Sequence, residues 1–226
     1  MIGILDSGKG GICAYRVVRR LLPRADILYL ADRKNAPYGN KRPEELTRLT
    51  SRAINRLHSL GAEKILIACC TASSIHKELG NPERTISVPI ITPTAACAAS
   101  MTKNGRIAVI ATEATVRSGK FSEAITARLP SARVFELAEP GLVALIESCA
   151  DREAIQAEAD TICRKIRALE CDTLVLGCTH FSHARGIFEK TLKCVGIADA
   201  AEVGALALIR LTADIKTDEN GKILYM

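Results

Sequence analysis

The hydrophobic pattern repeats one construction twice. Lys64-Ile-Leu-Ile67 runs into Ala-Cys-Cys-Thr-Ala-Ser73, and Thr173-Leu-Val-Leu-Gly177 runs into Cys-Thr-His180. A short continuous apolar run of this kind reads as a strand buried on both faces of a parallel sheet. Each run ends in a cysteine and a threonine. They stand at the carboxyl edge of the sheet, where open α/β folds hold their ligands.

The rest of the pattern alternates strands and helices. Residues 2–5 predict a strand, and Asp6-Ser-Gly-Lys-Gly-Gly11 a turn whose glycines let the backbone approach a ligand, with an anion-favouring helix start behind it. That helix carries Val17, Val18, Leu21 and Leu22. Next come a strand at 26–30, a loop rich in turn formers at 31–39, and a helix from Pro43 to about residue 60. The first cysteine strand leads to a helix over 72–79 and a short strand at 88–92. The pattern then restarts with a strand at 106–110 that ends in the stretch 111–118. A helix, a strand at 133–137, helices near 141–149 and 152–169, and the second cysteine strand follow. Asp6 precedes Cys69 by 63 positions and Thr112 precedes Cys178 by 66, as an internal duplication predicts. The expected fold is α/β: two pseudo-symmetric doubly wound α/β domains with the active site in the cleft between them. The tail from residue 197, a helix and a last short segment, is expected to pack back on the first half. Residues 1–95 with 197–226 then form the first domain and 96–196 an inserted second one.

Composition narrows what such a fold does. With 226 residues, 48% of them hydrophobic, the chain can build a sizeable core. No tryptophan and 4% aromatics leave no platform for stacking bases, so nucleic acid is not an expected partner. The net charge of +6 is scattered among acids on helical faces, which reads as solvated surface with at most a mild pull on small anions. The nine cysteines form no C-x-x-C pair, so neither a zinc ribbon nor another metal site is expected. No basic signal region precedes the first strand, and no apolar run reaches membrane-spanning length. The expectation is a cytoplasmic chain with reduced thiols and no membrane partner. The glycine turn is not a phosphate loop, because Lys9 is followed by Gly10 instead of Ser or Thr. The leading Asp6 would repel a phosphate but suits an amino group or a proton transfer.

Two thiols facing one carbon allow what a single base cannot do. One removes a proton and the other delivers one from behind, inverting the centre. Nearby cations and helix N-termini would bring such thiols towards thiolate. Asp6, at the end of the first strand, is placed to assist Cys69, and His180 to assist Cys178. No lysine stands in a recognisable cofactor setting, so pyridoxal phosphate is not expected. Cys13, Cys97, Cys149, Cys163, Cys171 and Cys194 are assigned to packing, and His58 and His76 to solvated helix faces.

Several ordered motifs now stand together: Asp6-Ser7-Gly8 with Gly10-Gly11, Pro37-Tyr38-Gly39, Ala68-Cys69 with Thr71-Ala72-Ser73, Thr112 with Thr115 and Ser118, and Gly177-Cys178-Thr179-His180. Over nearly the whole chain they resemble the cofactor-independent glutamate racemases of the aspartate/glutamate racemase superfamily. The resemblance implies two α/β domains with the site between them, no cofactor, and interconversion of L- and D-glutamate to supply D-glutamate for peptidoglycan. It implies Cys69 and Cys178 as the acid/base thiols, with Asp6 and His180 as helpers. Those two helpers, with Ser7, Pro37, Tyr38, Gly39, Cys70, Thr71, Thr115 and Thr179, would surround the substrate. Glu147 falls where the family often has a glutamate near the second cysteine. Two places depart from the pattern: Cys70 replaces the usual asparagine, and Phe181-Ser182 a common Tyr-Pro. A homodimer is left open. Two other readings stay open: a related racemase or isomerase acting on aspartate or another amino acid, which Cys70 favours, and a non-catalytic relative, which the cysteine count favours.

Overall fold

The computed structural model describes residues 1–80, 85–193, 195–212 and 221–226. Strand β1 (Ile2–Asp6) is buried at every position. Helix α1 (Ile12–Leu21) follows the glycine turn; it buries Ala14 and Val18 and carries Arg19 and Arg20 in its last turn, where cations suit the helix dipole. After β2 (Ile27–Ala31) comes α2 (Pro43–Ser59), opened by proline and two glutamates. Its buried Leu46, Leu49, Ala53, Ile54 and Leu57 recur at helical spacing. Truncating one of these leucines to alanine would cost about 2–5 kcal/mol. Then come β3 (Lys64–Ile67), the single turn α3 (Cys70–Ser73), β4 (Ile86–Pro89) and α4 (Ile91–Met101).

The second run begins with β5 (Arg106–Ala111), α5 (Glu113–Ser118), α6 (Lys120–Thr126) and β6 (Arg133–Ala138). Gly119 joins α5 to α6 at φ 62°, a left-handed conformation that glycine adopts without strain. Helices α7 (Pro140–Glu147) and α8 (Arg152–Ala168) lead to β7 (Thr173–Gly177). The chain ends with α9 (Arg185–Thr191), β8 (Gly196–Asp199), α10 (Ala200–Arg210) and β9 (Ile223–Tyr225).

Every strand pairing is parallel. One sheet has the order β4-β3-β1-β2-β9 and the other β6-β5-β7-β8. Read from the other edge, the second sheet is β8-β7-β5-β6. It repeats the first four strands of its partner in the same relative order, so β3 and β7 are equivalent. Apolar side chains cover both faces of each sheet, as parallel sheets require.

Several sequence expectations change. The helix expected over 72–79 stops at Ser73, and a separate 3-10 turn spans His76–Glu78. Ser73 Oγ donates to the Ile67 carbonyl at 2.9 Å and accepts from the Ile90 N–H at 3.0 Å, so side-chain bonds replace helical ones. The strand expected to run to residue 92 ends at Pro89, and Pro93 lies in the first turn of α4, where a missing N–H is harmless. The boundary expected after residue 95 therefore falls inside α4. Nor does the chain return to the first sheet at 197: Thr173 pairs with Gly196 and Leu176 with Asp199, so β8 extends the second sheet. The return comes with α10, which lies on α1 and α4, and with β9, which pairs with β2. Cys194 lies outside the described residues.

Candidate active site

Strands β3 and β7 end at one cavity of about 510 Å³, lined by Cys69, Cys70 and Thr71 from one lobe and Cys178, Thr179 and His180 from the other. Cys69 and Cys178 each keep extended backbone before the chain turns, and each is 6% exposed. The two sulfurs have different partners. Cys69 Sγ lies 3.3 Å from Ser7 Oγ, while Cys178 Sγ lies 3.5 Å from His180 Nδ1. The other ring nitrogen, Nε2, meets the Glu147 carboxylate at the end of α7.

These partners make the halves electrically unequal. Burial pushes the Cys69 thiol up to about 12, and the Asp6 carboxylate adds to this, so Cys69 is a neutral thiol at neutral pH. Burial works against a charged His180, but Cys178, Asp6 and Glu147 together outweigh it and raise the imidazole to about 10. The Cys178–His180 pair thus carries imidazolium beside sulfur at neutral pH. Cys70 is a buried thiol raised well above its ordinary value, first by desolvation and then by the sulfurs around it. It packs with Ile90, Ile91 and Ala95 while also touching the cavity.

Ser7, Pro37, Tyr38 and Gly39 line the cavity as expected. The peptide between Ala36 and Pro37 is cis. The Tyr38 hydroxyl donates to Asp32 Oδ2 at 2.7 Å, so it is already engaged within its own lobe. Asp6 and Thr115 differ: both are fully buried and neither lines the cavity. The Asp6 carboxylate accepts the Gly8 N–H at 3.0 Å and lies 3.5 Å from the Thr179 hydroxyl, which donates to it across the cleft. Its carboxyl is raised, burial outweighing the N–H groups of Gly11, Gly8 and Ser7 that favour its charge. The acidic group at the start of α1 is the chain's own Asp6. The glycines of this turn make room for protein: a Cβ on Gly11 would lie 2.5 Å from Asp6 Cβ. Thr115 Oγ1 sits 3.2 Å from Thr71 Oγ1 and 3.0 Å from Thr112 Oγ1, closing a triangle of hydroxyls under the cavity wall.

The cavity also uses Asn40, Thr112, Glu113 and the α7 face of Pro140, Val143 and Ala144. Thr112 had a signal, as the strand end matching Asp6; the α7 face had none, since packing alone brings it there. His58 and His76 are not simply solvated: the first bonds Thr85 at 2.6 Å and the second Ser87 at 3.0 Å. Among the described residues no three His, Cys, Asp or Glu side chains are grouped to hold a metal ion, and no helix is long and apolar enough to cross a membrane.

The family model described as Asp/Glu/hydantoin racemase matches residues 15–208. The chain belongs to this family. The matched region of the racemase fold includes both cavity thiols and His180 but starts after the Asp6–Gly11 turn. The chain is 36% identical to a glutamate racemase of Desulforudis audaxviator, over 97% of its own length and 82% of that protein. It is 35% identical to a glutamate racemase of Persephonella marina, over 98% and 86%. A glutamate racemase isoform of Bacillus anthracis superposes with a TM-score of 0.84 at 27% identity, covering 100% of this chain and 86% of that one. The glutamate racemase of Francisella tularensis in complex with D-glutamate shares the fold, with a TM-score of 0.88 at 24% identity over 99% and 86%. As a member of this family the chain places its Cys178–His180–Glu147 array wholly in the second lobe, with Cys69 and Ser7 opposite.

Proposed function

We propose that the chain interconverts L- and D-glutamate, one thiolate removing the Cα proton and the other thiol returning a proton from the opposite face. The observation that carries this is that Cys69 and Cys178, from equivalent strands of two sheets, line a single cavity. The curated relatives named glutamate racemase supply the substrate. Cys178, paired with imidazolium, starts as the base for the antipode whose Cα proton faces it. Cys69, a neutral thiol, gives its proton to the other face. Cys178 then holds the abstracted proton and Cys69 is the thiolate, which is the state that handles the mirror-image substrate. The electron pair left on Cα spreads into the α-carboxylate. The hydroxyls of Thr71 and Thr112 and the N–H groups at the strand ends would hold its oxygens. Among the described residues no lysine or arginine lines the cavity, so the α-ammonium of the substrate would supply the positive charge that Cys69 lacks. The sheets and their helices act as two domains closing on the amino acid. The D-glutamate made would serve peptidoglycan assembly in the cytoplasm.

The test is proton NMR of L- and D-glutamate with the reduced protein in deuterium oxide and no added cofactor. Loss of the Cα proton from both antipodes, with convergence to a racemic mixture, is expected; no exchange overturns the reading. Cys70 favours a second reading, in which aspartate or another acidic amino acid is preferred. A buried thiol on the cavity wall is a weak partner for a polar substrate group. The same assay across acidic amino acids decides between them by kcat/KM.

A further inference from the structure

Lys9 lies on the turn between β1 and α1, in the first lobe, where its carbonyl accepts the Ile12 N–H, yet its side chain reaches into the second. Its Nζ donates to the Glu147 carbonyl at 2.8 Å and stands 3.9 Å from Glu147 Oε2. Its main-chain N–H donates to Glu147 Oε1 at 3.4 Å, and Nζ approaches Cys149 Sγ at 3.7 Å. Oε1 is also the oxygen that meets His180 Nε2. We propose that Lys9 is a positioning residue: reaching over the cleft, it fixes Glu147 against His180 and so readies the Cys178 half of the site only when the lobes are together. This rests on the racemase reading of the cavity.

Three features support the assignment. The carbonyl it caps is at the end of α7, where a helix leaves acceptors unsatisfied and its dipole favours a cation. The turn is shaped for the contact, since a Cβ on Gly8 would lie 2.9 Å from Glu147 Oε1. The Lys9 and Glu147 side chains are 46% and 38% exposed, so the ion pair adds little to stability and its effect is on orientation. The Glu147 carboxyl stays below its ordinary value: burial opposes this, while His180 and Lys9 together prevail.

The experiment compares the full chain with Lys9→Met, Lys9→Gln and Lys9→Arg, reading thermal midpoint, the pH profile of kcat and the Glu147 carboxyl titration by carbon NMR. Lys9→Met and Lys9→Gln are expected to keep the midpoint, lose roughly tenfold in kcat, and move the acid limb and the Glu147 titration to higher pH. Lys9→Arg is expected to restore both. An unmoved Glu147 titration in Lys9→Met and Lys9→Gln overturns the proposal, as does an arginine variant that recovers neither readout. The titration needs no turnover. A chain that exchanges no Cα proton would refute the racemase reading, while the titration still decides whether Lys9 controls Glu147.

Discussion

Gly10 and Thr179 touch so closely that no side chain fits between them. A Cβ on Gly10 would lie 2.3 Å from Thr179 Oγ1 and 2.8 Å from the His180 main-chain nitrogen. The obstacle is partly backbone, so it cannot rotate away. Gly10→Ala should push the turn after β1 away from the end of β7, costing about 1–3 kcal/mol of stability. The loss in kcat/KM should be larger than that energy implies, because the Asp6–Thr179 and Lys9–Glu147 contacts open with it. Urea unfolding alongside kinetics checks this; an alanine variant as active and stable as the parent would contradict the close fit.

The two thiols should fail in different ways. Cys69→Ala and Cys178→Ala should each lower racemisation by roughly 10³-fold, the middle of the range for loss of a positioned acid or base. Cys69→Ala keeps the Cys178–His180 pair. It should still exchange the Cα proton of one antipode for deuterium, with retention of configuration. Chiral chromatography with mass detection separates exchange from inversion. Exchange of both antipodes by this variant would show that a base other than the two thiols is at work.

Asp6 should affect Cys69 and the turn separately. Its buried carboxylate holds the N–H of Gly8 and raises Cys69 by charge. Asp6→Asn keeps an acceptor for the turn but removes the charge, so Cys69 should titrate below about 12 and alkylate faster with iodoacetamide. Asp6→Ala should in addition cost about 1–3 kcal/mol through the N–H groups left unpaired. Mass-resolved alkylation rates across pH, with thermal unfolding, test both.

The strands that end in Cys69 and Cys178 were legible because burial on both faces leaves an uninterrupted apolar run. The duplicated spacing was legible for the same reason. Strand β8 was not: Gly196-Ile-Ala-Asp199 is too short and mixed to declare itself, and pairing with β7 makes it a strand. Helix α4 was missed because Ile91-Thr-Pro93 reads locally as extended chain, whereas the proline sits harmlessly in a first helical turn. In the site, motif residues on strand ends could be read from the chain. The α7 face could not, because nothing local says which helix closes a cleft. Lys9 counted in the sequence only against a phosphate loop. Its contacts to Glu147, 138 positions away, exist only once the two lobes meet.

Alkaline pH should loosen the fold through His180. Its imidazole is raised from about 6.5 to about 10: burial lowers it, but Cys178, Asp6 and Glu147 raise it more. A raised cationic group stabilises the fold fully below its unfolded value, and that stability is lost as pH climbs through the folded value. The thermal midpoint should therefore decline between about pH 6.5 and 10. Glu147→Gln removes one of the groups that raise His180. Its decline should be shallower and should finish at lower pH, with a lower midpoint at pH 6 where the parent pair is intact. Scanning calorimetry of both proteins across this range gives the slopes directly. Parallel slopes would mean that Glu147 does not hold the charge on His180.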